Sequence, residues 1–295
     1  SKHSHSLLRD IDRIFDWLER NNLSPFGAGA LAGSSIQPDP KKSGVALGFN
    51  GSMANSIDAV SDRDFAAEAL FILAMLGVHL SRIGEEFILW SSTEFNWVVI
   101  DDAYATGSSI MPQKKNADVA ELARGKSGRF IGNLTSLLVV LKGMPFAYNR
   151  DLQEDKEPVF DSVDQLLILL PALTGMVSTA KFNKDAITKT AAAGFSLATE
   201  IADFLAKKQI PFSKAHEVAG ECVKFCEKSG IELHEISDEQ LQKIHPALTK
   251  DLRALLNVEG AIASRTSDMA TSKKSVTQAI SELNKELSKV ESEIS

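Results

Sequence analysis

One stretch of the chain, ATGSSIMPQKKNADVAELARGKSGR at residues 105–129, concentrates the residue types that could do chemistry. Two hydroxyls, a glycine hinge, two adjacent lysines and an amide occur there, at Ser108, Ser109, Gly107, Lys114, Lys115 and Asn116. Asp118 and Glu121 follow with the spacing of a capping box, which predicts that a helix begins at this point. The unpaired N–H groups of a helix start and the lysine charges would together form a site for an anion, such as a carboxylate.

The elements that must position this stretch are helices. Apolar residues recur at three- and four-residue intervals in most of the chain, which places them on one face of a helix. This periodicity predicts helices at Leu7–Glu19, Asp62–Trp90, Asp118–Leu141, Asp161–Ser178, Phe195–Lys208, Ser213–Lys228, Asp238–Ile244, Thr249–Leu256 and Ser275–Glu293. Only Trp97–Ile100 is strand-like, and Asn21–Gly51, which contains three prolines, is predicted to be a long irregular loop. The sequence therefore predicts an all-α fold.

Helix length divides the chain into two parts. A helix over Asp62–Trp90 would span about 43 Å at 1.5 Å per residue, which exceeds a small domain and suits a bundle or an oligomer core. After about residue 183 the predicted helices become shorter. We therefore predict a central helical-bundle domain at residues 1–188 and a small C-terminal helical domain at residues 189–295.

Composition and charge argue against several classes of function. The net charge of −7 over 295 residues provides no bulk attraction for nucleic acid. No uninterrupted apolar run approaches the roughly 18 residues of a membrane span, so no membrane partner is predicted. Cys222 and Cys226 lie four apart in a helical segment, a poor arrangement for a disulfide, so reduced thiols in the cytoplasm are predicted. The six histidines are scattered, which predicts no metal site.

The sequence of the polar stretch resembles that of a known family. GSSIMPQKKN resembles the signature of the fumarase/aspartase superfamily, and its QKKN ending is similar to that of argininosuccinate lyases. Residues 50–65, NGSMANSIDAVSDRDF, residues 148–156, YNRDLQEDK, and residues 196–202 with His216 resemble further segments of the same lyase. The resemblance covers nearly the whole chain, as the C-terminal two thirds of a subunit. It departs from the family at Ala117, where proline is usual, and at Met269–Lys274, where Gly-Gly-Thr-Ala-Pro is usual.

The resemblance implies a cofactor-free elimination that cleaves argininosuccinate to arginine and fumarate, a step of arginine biosynthesis and the urea cycle. Ser108 would be one of the two acid/base residues, and we favour it as the base, with the reverse assignment to a partner histidine kept open. Lys114 and Asn116 would stabilise the dianionic intermediate that forms when a proton leaves the carbon next to a carboxylate. Glu121 would raise the basicity of the partner histidine.

The resemblance also implies how the substrate is held and how the subunits assemble. Tyr148, Gln153 and Lys156 would contact the substrate. In the family the long helices of four subunits form one bundle, and each active site draws residues from three of them. Alternatives are a non-catalytic bundle protein, as the lens crystallins of this family are, and a sister lyase acting on another fumarate adduct.

The partner histidine is the missing part of this site. In the family it lies in a Thr-His-x-Gln block, and none of the six histidines here has that context. The chain also opens inside an amphipathic pattern without a clear helix cap. We therefore expect a truncated or excised piece with little or no activity alone, which a companion polypeptide carrying the N-terminal third could complete.

Overall fold

The computed structural model describes residues 1–36, 39–107, 110–111 and 115–294. Regular structure in these ranges is almost entirely helical, so the predicted all-α class is confirmed. The helices are α1 (Lys2–Arg20), α2 (Pro40–Ala46), α3 (Ser56–Ser61), α4 (Asp64–Ser91), α5 (Asp118–Leu141), α6 (Lys156–Thr179), α7 (Lys184–Ala191), α8 (Ala198–Lys207), α9 (Phe212–Ser229), α10 (Asp238–Ile244), α11 (Val258–Ala263) and α12 (Lys273–Ile294). Two-residue strands are β1 (Leu23–Ser24), β2 (Gly51–Ser52), β3 (Val98–Val99), β4 (Thr106–Gly107), β5 (Lys115–Asn116) and β6 (Lys181–Phe182).

The chain forms two compact units. The large unit comprises Lys2–Glu94 and Val98–Lys181, and the small unit comprises Ser1, Phe95–Trp97 and Phe182–Ser295. The domain boundary that we predict between residues 188 and 189 remains a prediction, because compactness alone does not define an independently folding domain.

Four helices of the large unit run antiparallel to their neighbours. Asp10 and Trp17 of α1 contact His79 and Phe65 of α4, in the reverse order along the two helices. Likewise, α5 and α6 are joined by Arg129 with Asp161 and by Lys126 with Gln165, again in reverse order. Their apolar faces form one core, with Leu80, Ile83, Ala120, Phe130, Leu169 and Met176 among its members.

Two glycines let α4 and α5 approach each other closely. A Cβ atom at Gly84 would lie 2.4 Å from the carbonyl oxygen of Ala120, and one at Gly77 would lie 2.5 Å from the ring of Phe130. By contrast, a Cβ atom at Gly132 of α5 would meet no atom within 4 Å. The helix spacing therefore depends on the absence of a side chain at Gly84, and the contact there is with backbone that cannot rotate away.

We expect Gly84→Ala to lower the free energy of unfolding by about 1–3 kcal/mol, because overpacking must push the two helices apart. Gly132→Ala is the matched control and should raise that free energy by up to about 1 kcal/mol, since alanine is the better helix former. Urea denaturation followed by circular dichroism measures both changes. Equal losses of stability in the two variants would show that the close approach at Gly84 has no energetic role.

Several element boundaries differ from the predicted ones. The irregular loop over residues 21–51 contains α2, which begins after Asp39 because its carboxylate accepts from the backbone N–H of Lys41 and Pro40 takes the first helical position. The sixth helix begins at Lys156 rather than at residue 161 and continues through Pro171. The strand-like patch shortens to β3, and the expected helix near residue 250 is a 3-10 helix, Lys250–Ala254.

The small unit has its own core, built mainly from α8, α9 and the loops that follow them. Cys222 and Cys226 of α9 are fully buried there and unpaired, which confirms the prediction of unpaired core thiols. Burial raises the pKa of the Cys222 thiol to about 12 and also raises that of Cys226. Both thiols therefore serve packing in this structure.

Two helical segments of the described chain are long and apolar enough to cross a membrane, Asp64–Ser91 and Arg150–Thr179, with mean hydropathies of 1.5 and 1.4. The sequence did not lead us to expect this, because neither contains a long uninterrupted apolar run. Core helices meet the same criterion, and Leu70 and Leu80 of α4 are buried in the large unit. The finding is therefore weak evidence for a membrane span.

Candidate active site

The polar stretch forms a hairpin that leads into α5. Strands β4 and β5 pair antiparallel, with Thr106 opposite Asn116 and Gly107 opposite Lys115. Ser108 and Lys114 lie outside the described residues, next in sequence to the two paired residues Gly107 and Lys115. The ladder thus brings Gly107 and Lys115 together just before the first turn of α5.

The start of α5 differs from the predicted capping box. Ala117 occupies the cap position, with φ −81° and ψ 58°, and Asp118 is already the first helical residue. No side chain caps the helix, because the chain leaves β5 directly into Ala117, which has no acceptor to offer. The predicted capping box of Asp118 and Glu121 is therefore wrong, and the Glu121 N–H donates to the Ala117 carbonyl at 2.9 Å.

Asn116 and Glu121 both stand at this end of the large unit. Asn116 is half-buried, Glu121 is exposed, and Lys115 forms an exposed ion pair with Asp102. Asp118 and Glu121 place two carboxylates in the first turn, where the helix dipole favours negative charge. The described part of this end therefore offers an amide and two carboxylates, close in sequence to Ser108 and Lys114.

The predicted substrate contacts lie on a second segment: Tyr148 precedes the 3-10 helix Arg150–Asp155, Gln153 lies within it, and Lys156 is the first residue of α6. Gln153 donates a side-chain hydrogen bond to the hydroxyl of Tyr148. The ammonium of Lys156 donates to Oδ1 of Asp155 at 2.8 Å. All three predicted contact residues are exposed, so each can reach a bound molecule.

A buried carboxylate holds this second segment in place. Asp155 is 6% exposed, and its Oδ2 accepts from Nε of Arg63, the residue before α4. Burial alone would raise the pKa of Asp155, but hydrogen bonds from Lys156 and Arg63 outweigh it and lower the pKa below its ordinary value. Arg63 and Asp155 were not among the predicted site residues. Both residues lie in charge-rich runs, SDRDF and QEDKE, which could have drawn attention to them. The sequence does not show that the two runs are in contact.

The two groups of site residues stand at opposite ends of the large unit. Twenty residues of α5 separate Glu121 from Leu141, a distance of about 30 Å at 1.5 Å per residue. Leu141 packs against the same small cluster as Val159 of α6, three residues after Lys156. One copy of the chain therefore does not bring Asn116 and Glu121 together with Tyr148, Gln153 and Lys156.

Two of the described histidines pair with carboxylates other than Glu121. His79 is buried on α4, with Nδ1 2.6 Å from Oδ2 of Asp10. The imidazole of His3 lies 2.6 Å from a carboxylate oxygen of Glu86. Within the described ranges the Glu121 side chain has no hydrogen bond to a histidine. The partner that the resemblance assigns to Glu121 is thus not supplied by these residues.

Long antiparallel helices, with a polar hairpin at one end and a cation–carboxylate cluster at the other, define a helical-bundle protein, and its large unit is similar to lyases. A family model described as lyase matches residues 1–132, and one described as argininosuccinate lyase C-terminal matches residues 195–263. The chain belongs to the argininosuccinate lyase family of the fumarase/aspartase superfamily.

Curated relatives agree with both family models. An argininosuccinate lyase of Streptomyces griseus subsp. griseus is 57% identical over 286 residues, which are 97% of this chain and 60% of that protein. One of Frankia casuarinae is 55% identical over 281 residues, or 95% of this chain and 61% of the relative. The chain therefore spans about three fifths of the length of these relatives.

Solved structures show the same architecture. EDDS lyase in complex with formate superposes with a TM-score of 0.90 at 30% identity, over 98% of this chain and 59% of that one. A fumarate lyase, delta crystallin, from Brucella melitensis superposes with a TM-score of 0.63 at 20% identity, over 84% of this chain and 55% of that one. The second comparison bears on the fold alone.

Proposed function

We propose that this chain is the larger part of an argininosuccinate lyase, which eliminates fumarate from argininosuccinate to release arginine. One observation carries the proposal: the string GSSIMPQKKN, whose first and last residues lie on the paired strands before a long bundle helix, occurs in a chain 57% identical to a curated argininosuccinate lyase. The reaction needs acids, bases and anion-binding groups, all of which protein side chains supply, so no cofactor or metal is invoked.

In this proposal each residue at the hairpin end has its own role in the elimination. Ser108 takes the proton from the carbon next to a substrate carboxylate, within a cationic setting that Lys114 supplies. Lys114 and Asn116 stabilise the negative charge that then accumulates on that carboxylate. Glu121 orients and raises the basicity of the histidine that completes the acid/base pair. Protonation of the departing guanidino nitrogen by that histidine ends the elimination.

The separation of about 30 Å along α5 supports a shared active site. Tyr148, Gln153 and Lys156 of one copy can meet Asn116 and Glu121 only if these come from another copy. An antiparallel arrangement of two large units places the hairpin end of one beside the Lys156 end of the other. We therefore propose a homotetramer with shared sites, whose bundle buries exposed apolar residues of the long helices such as Phe160, Leu167 and Ile168.

The resemblance implies that a Thr-His-x-Gln segment completes the proposed site, and none of the six histidines of this chain lies in such a segment. A separate polypeptide carrying that segment would supply both the histidine and the first-domain contacts to the substrate. The whole enzyme would act in the cytoplasm, in keeping with two reduced core thiols.

We expect the chain alone to show little or no turnover of argininosuccinate. A mixture with the part of the Streptomyces griseus relative that this chain does not match should produce fumarate, which is followed by its ultraviolet absorbance. Full turnover by the chain alone would contradict the shared, incomplete site. The same part of the relative, assayed without this chain, is the control for activity that it has on its own.

A substrate panel in the same assay separates the alternatives. EDDS and other fumarate adducts test for a sister lyase, a question raised by the 30% identity to EDDS lyase. Preference for such an adduct over argininosuccinate would overturn the substrate assignment. An assembled bundle that binds its companion but turns over none of these substrates would favour a crystallin-like, non-catalytic role.

A further inference from the structure

We infer that Arg63 and Asp155 are positioning residues for Lys156, which they hold in place and keep electrostatically available to an anionic group of the substrate. The inference rests on the proposed function, since it assumes that Lys156 meets the substrate. It adds a role for two residues that lie on different elements, 92 positions apart in the sequence.

Geometry supplies the first part of the argument. Asp155 uses its two oxygens separately, Oδ1 for the ammonium of Lys156 and Oδ2 for the guanidinium of Arg63. Arg63 is itself fixed, because its NH1 group donates to the carbonyl oxygens of Val60 and Asp62. A buried carboxylate fixed on one side by an anchored guanidinium can orient a flexible lysine on the other side.

Charge supplies the second part. Two cations share one carboxylate, so the group of three retains one positive charge. An ammonium has three donors, and Lys156 gives only one of them to Asp155, which leaves two for a carboxylate of the substrate. Without Arg63, both oxygens of Asp155 would be free to pair with Lys156, and the remaining pair would be neutral.

The surroundings make that charge effective. The cluster lies at one end of an apolar groove of about 550 Å³ that α1, α4 and α6 enclose. Trp17, Phe65 and Val159 are among its lining residues. The side chain of Lys156 is 52% exposed, so the apolar walls lower the dielectric on its buried side only, and there they strengthen its attraction to an anion.

A purely structural role is the rival explanation, in which the ion pairs only tie the start of α4 to the start of α6. Acylation of Lys156 in the chain alone distinguishes the two roles. Asp155→Asn should raise the acetylation rate of Lys156, relative to the exposed Lys142, about threefold or more, because a free amine is no longer held in a charge-assisted bond. Arg63→Gln should lower the same ratio, because Asp155 then pairs with Lys156 alone.

Opposite shifts in the two variants support the inference, with the sites quantified by peptide mass spectrometry. Faster acetylation in both variants would indicate local unfolding and would overturn it, as would unchanged ratios in both. Arg63→Lys keeps the cation, so its ratio of Lys156 to Lys142 acetylation should equal that of the unmodified chain. An unchanged ratio in this variant shows that substitution at position 63 does not by itself unfold the protein. This result does not depend on lyase activity.

Kinetics of the assembled enzyme give the functional test. Arg63→Gln should raise KM for argininosuccinate about tenfold and change kcat less than about threefold, because charge attraction acts on the bound ground state and transition state alike. Arg63→Lys should restore KM. A fall in kcat alone, in proportion to lost folded enzyme, would overturn the inference. If the unmodified assembly lacks activity, the proposed function fails, and the acetylation result still decides the positioning role.

Discussion

Replacing Ser108 by alanine is expected to lower kcat of the assembled lyase by about 10²- to 10⁴-fold, the usual contribution of a general acid or base. The reason is the difficulty of the step. A proton must leave a carbon whose neighbouring carboxylate is already negative, and alanine has no group to accept it. KM should change little, because the hydroxyl is not among the groups that we assign to binding.

Ser109→Ala is the matched control for this prediction, since it removes the same atoms one residue later in the same segment. Its kcat should stay within about threefold of the unmodified enzyme if the acid/base role belongs to Ser108 alone. Initial rates of fumarate formation, measured at saturating argininosuccinate on assemblies of equal size, provide the comparison. Equal losses in both variants would assign the effect to the conformation of the segment instead.

The fold was largely predictable because its helices are long and strongly periodic. A helix over residues 62–90 follows from its apolar spacing, and α4 spans Asp64–Ser91 in the structure. The starts of helices were harder, since they depend on contacts outside the local sequence. Ala117 caps α5 because the ladder at Asn116 ends there, and α6 begins early because Asp155 is anchored by Arg63. Neither cause is visible in the residues of the helix itself.

The candidate site was predictable residue by residue but not as an arrangement. The resemblance to the family identifies two groups of residues, Asn116 and Glu121 in one and Tyr148, Gln153 and Lys156 in the other. It does not give the distance between them. That distance follows from the length of one helix, because α5 runs without interruption from Asp118 to Leu141. A site made of both groups must therefore be built by assembly.

The packing that maintains this spacing depends on Phe130. Its side chain is fully buried in the core of the large unit, midway along α5, with the ring against Gly77 of α4. Phe130→Ala should lower the free energy of unfolding by about 3–5 kcal/mol, because it removes a whole ring from a core and leaves a cavity. Since Gly77 has no side chain, no neighbouring group on that side of α4 can fill the space.

Phe71→Ala in α4 is the matched control, because Phe71 is also helical and is 46% exposed. Both substitutions gain the same helix propensity, so this gain cancels in the comparison, and Phe71→Ala should cost less than about 1 kcal/mol. Urea denaturation at a concentration where sedimentation shows one species measures both. A similar cost for the two variants would mean that the contact between Phe130 and Gly77 does not hold α4 and α5 together. In that case the two ends of the site would need another element to fix their separation.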